Sequence, residues 1–291
     1  MSDRRIRVLA AFLGIALGSV PIAPTLASEG GGSNYLSGFY GDFGMAVMPD
    51  KGTFLNNFLA AFRDRSGNYL SFVEMPGILH VTEHRLLGGR YIVGLYPGLL
   101  GVEDRSGSDS QSRLGLGDFY LIPVALNWQW GELTALAYEG IVAPTGRYRK
   151  GELNSGRNVW TFDHILSLTW SLPVRSELSV TLGYMNNLEN TATHYRSGDE
   201  FHFDYLLGHY LRNDIAVGVA GSYYLQTTAD QAPGDLDAVP RSEAATIGPA
   251  LMYMPRLGGR DVTFSLKWLH EFGVVGRPAG DYLVVRTFME F

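Results

Sequence analysis

The chain has 291 residues, 46% of them apolar, no cysteine, and a formal charge of −6. Without cysteine no disulfide framework can hold it together, and an acidic balance gives no electrostatic footprint for nucleic acid. A mean hydropathy of zero excludes a bundle of membrane helices, while the apolar content excludes a disordered chain.

Arg4, Arg5 and Arg7 precede an apolar run from Val8 to Val20, followed by the small residues Thr25 and Ala27. This is the layout of a secretory signal peptide, residues 1–27, cleaved after Ala27. Its removal takes away Asp3 and three arginines and moves the formal charge from −6 to −8. The mature chain, 28–291, holds no further apolar run of spanning-helix length.

From Tyr35 to Val47, Phe39, Phe43, Met45 and Val47 fall on one face, which predicts a first strand ended by Met48-Pro-Asp-Lys-Gly52. Residues 53–62 repeat Phe54, Phe58 and Phe62 every fourth position, which predicts a short helix lying in a loop or plugging a mouth. Extended stretches follow at 68–85, 90–102 and 117–130. In the last, Tyr120, Ile122, Val124, Leu126, Trp128 and Trp130 form one apolar face.

The stretch 133–172 carries the clearest pattern. Leu136, Tyr138 and Val142 alternate with Ala137, Glu139 and Ile141. After a polar loop, Trp160, Phe162, His164, Leu166, Leu168 and Trp170 alternate with Thr161, Asp163, Ile165, Ser167, Thr169 and Ser171. Period-two alternation puts successive side chains on opposite faces. Strands of this kind continue near 178–184, 201–207, 215–225, 243–254, 261–272 and 281–291.

The count is twelve, and the connections alternate long (49–67, 103–114, 144–159, 189–198, 228–242, 274–280) with short (near 87, 131, 174, 213 and 257). A sandwich has no reason to lengthen every second loop. An outer-membrane barrel has long external loops and tight periplasmic turns. The expected fold is therefore all-β: a transmembrane antiparallel β-barrel of about twelve strands.

A charge on the lipid face of such a strand costs about 2–4 kcal/mol at the midplane for Arg or Lys. Asp118, Glu139, Asp163, Asp204, Lys267, Glu271, Arg286 and Glu290 are accordingly expected to face the lumen. There they either pair across it and brace the barrel or line a path for solute. Trp128, Trp130, Trp160 and Trp170 fall at strand ends and read as interface anchors.

His80-Val-Thr-Glu-His84 has the spacing of an inverted zinc-protease motif, but that chemistry needs a helix and the context here is extended. No nucleophile elbow or phosphate-binding loop is present in the sequence. His164, His202, His209 and His270 are the candidates for a membrane-embedded hydrolase.

GLGDFYLIPVALNW (115–128), APTGRY (143–148), NSGRNVWTF (154–162), GVAGSYYLQTTAD (218–230), IGPALMYM (247–254) and LKWLHEFGVVGRPAGDY (266–282) occur in this order. In them the chain resembles the outer-membrane proteins of the meta-pathway of phenol degradation, the SphA family. The resemblance implies a barrel admitting hydrophobic or aromatic compounds and brings no catalytic residues, metal or cofactor.

The combined expectation is a monomeric channel in the outer membrane, delivered there through an assembly signal at Phe291. Its partners would be lipid and a small apolar solute, with 53–62 and 144–159 gating the mouth. A hydrolase and a purely structural or surface-interaction barrel are the alternatives.

Overall fold

The computed structural model describes residues 32–107, 110–232 and 241–291. The expected signal peptide lies outside them.

The strands are β1 (Gly52–Asp64), β2 (Tyr69–Leu86), β3 (Gly89–Tyr96), β4 (Leu99–Asp104), β5 (Gln111–Leu116), β6 (Phe119–Trp130), β7 (Leu133–Ala143) and β8 (Thr161–Leu172). They continue as β9 (Ser176–Asn187), β10 (Glu200–Tyr210), β11 (Ile215–Gln226), β12 (Glu243–Tyr253), β13 (Arg256–Leu257), β14 (Arg260–Val275) and β15 (Gly280–Glu290).

Twelve of them, all except β4, β5 and β13, form one antiparallel ring, closed where β1 pairs β15 from Phe54 opposite Glu290 to Asp64 opposite Gly280. Closure removes the edges of that ring, which a membrane with no water to satisfy the backbone requires. Two strands are interrupted. Pro97-Gly98 separates β3 from β4, and Gly117-Asp118 separates β5 from β6, so that β4 and β5 form a hairpin that extends the upper half of β2.

The tight connections at 87–88, 131–132, 173–175 and 211–214 share one end with the start of β1 and the end of β15. Loops 144–160 and 188–199, with residues 227–232 and 241–242, share the other. The first end is periplasmic and the second external.

Outward rows are apolar: Leu166, Leu182 and Leu207, with Trp130, Trp170 and Trp268, are all substantially exposed. Inward rows of β8, β9, β11 and β12 carry hydroxyls that bond across the strands. Ser167 meets Thr181 at 2.8 Å, Thr169 meets Ser179 at 2.9 Å, and Ser222 meets Thr246 at 2.7 Å.

The twelve-strand count is reached by a different route from the one the sequence suggested. Residues 53–62 are not a helix. They belong to β1, with Phe54, Asn56, Phe58, Ala60 and Phe62 on the inner face. A repeat of four is also two periods of a strand, so the phenylalanines satisfied both templates. Conversely, 35–47 contains no strand residue and lies inside the barrel.

In β6 the even-numbered apolar run does not keep one face. A register shift between Leu121 and Val124 turns Tyr120 and Ile122 inward and Val124, Leu126, Trp128 and Trp130 outward. One extra residue flips the parity of everything beyond it.

Several inner aromatics lie across glycines on a neighbouring strand. Tyr120 covers Gly140 and Tyr96 covers Gly77, while the His202 ring sits where a Cβ on Gly183 would be 1.9 Å from its Nε2. Gly183→Ala is expected to displace His202 and lower unfolding stability by about 1–3 kcal/mol, the usual cost of overpacking. Urea unfolding of the purified barrel, followed by its heat-modifiable gel mobility, measures this.

Candidate functional site: the plugged lumen

Residues 32–48 run through the barrel from the external mouth to the periplasmic rim. Gly38 and Gly44 have φ of +88° and +58°, a left-handed conformation that glycine adopts without strain. Gly41 passes so close to the wall that an added Cβ would be 3.0 Å from the Tyr205 carbonyl oxygen.

The contacts of this plug are arranged along the whole channel. At the external mouth Arg157 bonds the Gly32 carbonyl, Ser33 donates to Glu200, and Asn34 Nδ2 donates to Thr161 at 2.7 Å. In the middle, the Tyr35 hydroxyl donates to Asp204 at 2.9 Å and the Tyr40 hydroxyl to Asp163 at 2.8 Å.

Lys267 Nζ donates to the Gly41 carbonyl at 2.7 Å and to Asp42 at 3.1 Å, and Ser265 donates to the same carboxylate at 2.7 Å. Lower down, the Gly44 amide meets Glu177 at 2.8 Å, the Ala46 amide meets Thr169 at 3.0 Å, and Asn127 donates to the Ala46 carbonyl at 2.7 Å. At the periplasmic rim Arg90 binds the Pro49 carbonyl at 2.9 Å and Asp50 at 2.6 Å.

The electrostatic logic is that of buried charge. Asp42, Asp163, Asp204, Lys267 and Glu271 are all buried, and such groups persist only when paired and hydrogen-bonded. Asp163 accepts from Tyr40, Tyr120 (2.9 Å) and His202 (3.1 Å). Asp204 accepts from Tyr35 and the Gly38 amide and faces His202 Nδ1 at 3.5 Å. The plug thus supplies donors the wall charges need, alongside uncharged hydrogen bonds to Thr161, Thr169 and Asn127 and the packing of Phe39 on Phe58 at 5.0 Å.

Of the residues expected in the lumen, Asp163, Asp204, Lys267, Glu271 and Arg286 are inward and buried. Glu271 holds Arg277 and the Gly280 amide, while Arg286 donates to Asn56 at 2.8 Å and lies over the Phe58 and Phe288 rings. Glu290 is on the inner face but exposed at the periplasmic rim. Asp118 sits in the break before β6 and accepts from the Gly146 and Arg157 amides at 2.8 and 2.7 Å, pinning the 144–160 loop over the mouth.

Glu139 is the correction. It stands opposite His164 on the outer face, where the imidazole donates to it at 2.6 Å near the external ends of β7 and β8. Leu136, Tyr138 and Val142 point inward instead. The interior here is aromatic, so hydrophobicity no longer distinguishes lumen from lipid.

Tyr35, Tyr40 and Asp42 were not foreseen as site residues, His202 was foreseen only as a hydrolase candidate, and Tyr120 only as part of an apolar face. Tyr35, Tyr40, Tyr120 and His202 meet around Asp163 and Asp204. The signal available was Gly38, Gly41 and Gly44 at intervals of three, a period a strand has no use for.

The other motifs have ordinary partners. His80 shares a hydrogen bond with Thr53 at 3.0 Å, and Glu83 pairs Lys51 at 2.8 Å. Among the described residues, hydroxyl and carboxylate neighbours fall on different histidines: Ser176 on His209, but Glu139 on His164 and Asp281 on His270.

With the geometry set, the family assignment follows from the sequence match. A family model described as "Putative MetA-pathway of phenol degradation" matches residues 55–287. The chain belongs to that family.

No curated protein matches it. Among solved structures, it is similar to an outer-membrane channel from Pseudomonas putida F1, at 16% identity and a TM-score of 0.67 over 87% of this chain and 98% of that one. It also aligns with the NanC porin at 10% identity and a TM-score of 0.43, covering 81% of this chain and 98% of that one. The TodX monoaromatic hydrocarbon channel deltaS2 mutant aligns at 10% and 0.45, covering 85% and 92%. The first similarity establishes the fold. A closed barrel with an apolar outer belt is an outer-membrane protein.

Removing one partner of a buried ion pair costs about 3–5 kcal/mol, because the other charge is left unpaired. Lys267→Met is therefore expected to loosen the plug around Asp42. Limited proteolysis of the purified barrel should cut within 34–48 in the variant and leave the wild-type segment intact.

Proposed function

We propose that this barrel is a passive outer-membrane channel for small hydrophobic or aromatic compounds, with the plug as its gate. The observation that carries the reading is that the lumen is filled by a segment bound through side-chain contacts rather than strand pairing. Such a segment can leave without opening the sheet. The wall it covers is aromatic, with Phe58, Tyr96, Tyr120, Tyr224 and Tyr282 on the inner face.

The family description, which names a pathway of phenol degradation, and the described role of the Pseudomonas putida F1 neighbour as a channel both support this reading. Loop 144–160, pinned by Asp118, narrows the external mouth. The 53–62 segment has no gating role, since it is wall.

The channel acts as a monomer in lipid, needs no cofactor, and makes and breaks no covalent bond. Residues 1–27 direct export. Phe291, whose amide bonds the Thr53 carbonyl at 3.0 Å, is the assembly signal at the seam between β15 and β1.

Uptake of labelled phenols and alkylbenzenes, compared with a small sugar in cells with and without the protein, tests this. Faster uptake of the aromatic set alone is expected. Equal uptake of every solute with and without the protein would refute it. Deleting residues 34–47 should raise ion conductance in planar bilayers and let the sugar through, since none of these residues belongs to the sheet.

A further inference from the structure

Resting on the channel reading, we infer that the plug tyrosines are tethered stand-ins for the solute, and that the wall around His202 is a binding site for hydroxyaromatic compounds. The side chain of tyrosine is p-cresol joined to the backbone. Two such groups, Tyr35 and Tyr40, are presented to the wall in the same manner.

Each ring lies against the His202 imidazole, with centroids 4.5 and 4.7 Å away. Each hydroxyl donates to a wall carboxylate, Tyr35 to Asp204 at 2.9 Å and Tyr40 to Asp163 at 2.8 Å. Tyr35 is further stacked on Tyr224 at 5.6 Å, and Tyr120 donates to Asp163 beside Tyr40 at 2.9 Å. The carboxylates and His202 are buried and belong to the barrel, so they stay in place when the plug withdraws.

A withdrawn plug leaves two slots, one stacked on the His202 ring and one tilted against it, each with a carboxylate acceptor at its end. A phenol satisfies both features; a hydrocarbon of the same shape satisfies only the first. A hydrogen bond to a charged acceptor favours the phenol by roughly tenfold or more. The unfilled acceptors would also be costly to leave bare, which is how a polar site rejects the analogue lacking the group.

The tethered tyrosines compete at a high effective concentration, so the slots stay shut until solute accumulates. Phenol would thus open its own route by replacing the plug's hydroxyls one for one.

The test uses Tyr35→Ala with Tyr40→Ala in the full chain, its folding verified by heat-modifiable gel mobility, and p-cresol and toluene as probes. In planar bilayers the variant should conduct more than wild type. p-Cresol should bring the conductance back toward wild type at a concentration roughly tenfold or more below that at which toluene acts. Adding Asp204→Asn should weaken the p-cresol effect and leave that of toluene unchanged.

Equal potency of the two probes would overturn the inference, as would no effect of either. If the double variant does not fold, competition of p-cresol and toluene for labelled phenol uptake through the wild-type channel decides the same question. Uptake of both classes without discrimination removes the hydroxyaromatic site but leaves the channel. Uptake of neither removes the channel itself.

Discussion

An ionised side chain on the inner face of a closed barrel has to find a partner, and the architecture of this protein follows from how those partners are supplied. Water would serve in an open pore. Here Asp163, Asp204, Glu177 and Lys267 are buried, and a segment of the chain itself delivers hydroxyls, amides and a carboxylate to them. Asp163 and Asp204 receive tyrosine hydroxyls, Lys267 receives Asp42 and a carbonyl, and Glu177 receives an amide. Without the segment Asp163, Asp204 and Lys267 would each lose partners, and the segment alone has no sheet to join.

That interdependence explains why the segment is both firmly seated and removable. Individual neutral hydrogen bonds contribute about 0.5–1.5 kcal/mol each, and charged ones more. A dozen spread over the channel hold the plug, the buried Lys267–Asp42 pair contributing most. No strand pairing has to be broken to release it, so the ring of twelve strands can persist in the open state. The periplasmic attachment through Arg90 lies next to the start of β1, where the chain is tied to the wall in any case.

Much of this fold is readable from the sequence because alternation and loop length are strong signals. The eight strands from β7 to β15, excluding the short β13, fall near their expected positions. What was not readable has identifiable causes. Phe54, Phe58 and Phe62 fit a helix and a strand equally, and only pairing with β15 decides. Tyr35–Val47 imitates a strand in its apolar spacing, while Gly38, Gly41 and Gly44 give it the freedom to thread the lumen.

In β6 a single bulge before Val124 inverted half a strand. Glu139 was assigned inward on the assumption that apolar neighbours face lipid, yet Leu136 and Tyr138 pack against an aromatic interior. The central cluster of Tyr35, Tyr40, Asp163, His202 and Asp204 joins three separated stretches of chain, and no local pattern announces it.

The most direct measurement of the central claim, that the plug must leave the lumen for solute to pass, exploits the absence of cysteine from the chain. A Cβ at Gly41 would lie 3.2 Å from the Cβ of Asp204, close to the separation a disulfide spans. Gly41→Cys with Asp204→Cys replaces the hydrogen-bonded latch by a covalent one that a reductant can open. The account predicts that uptake of toluene, which makes no use of the Asp204 carboxylate, stops in the oxidised protein and returns on reduction. Uptake that is the same in the cross-linked and reduced forms would contradict it.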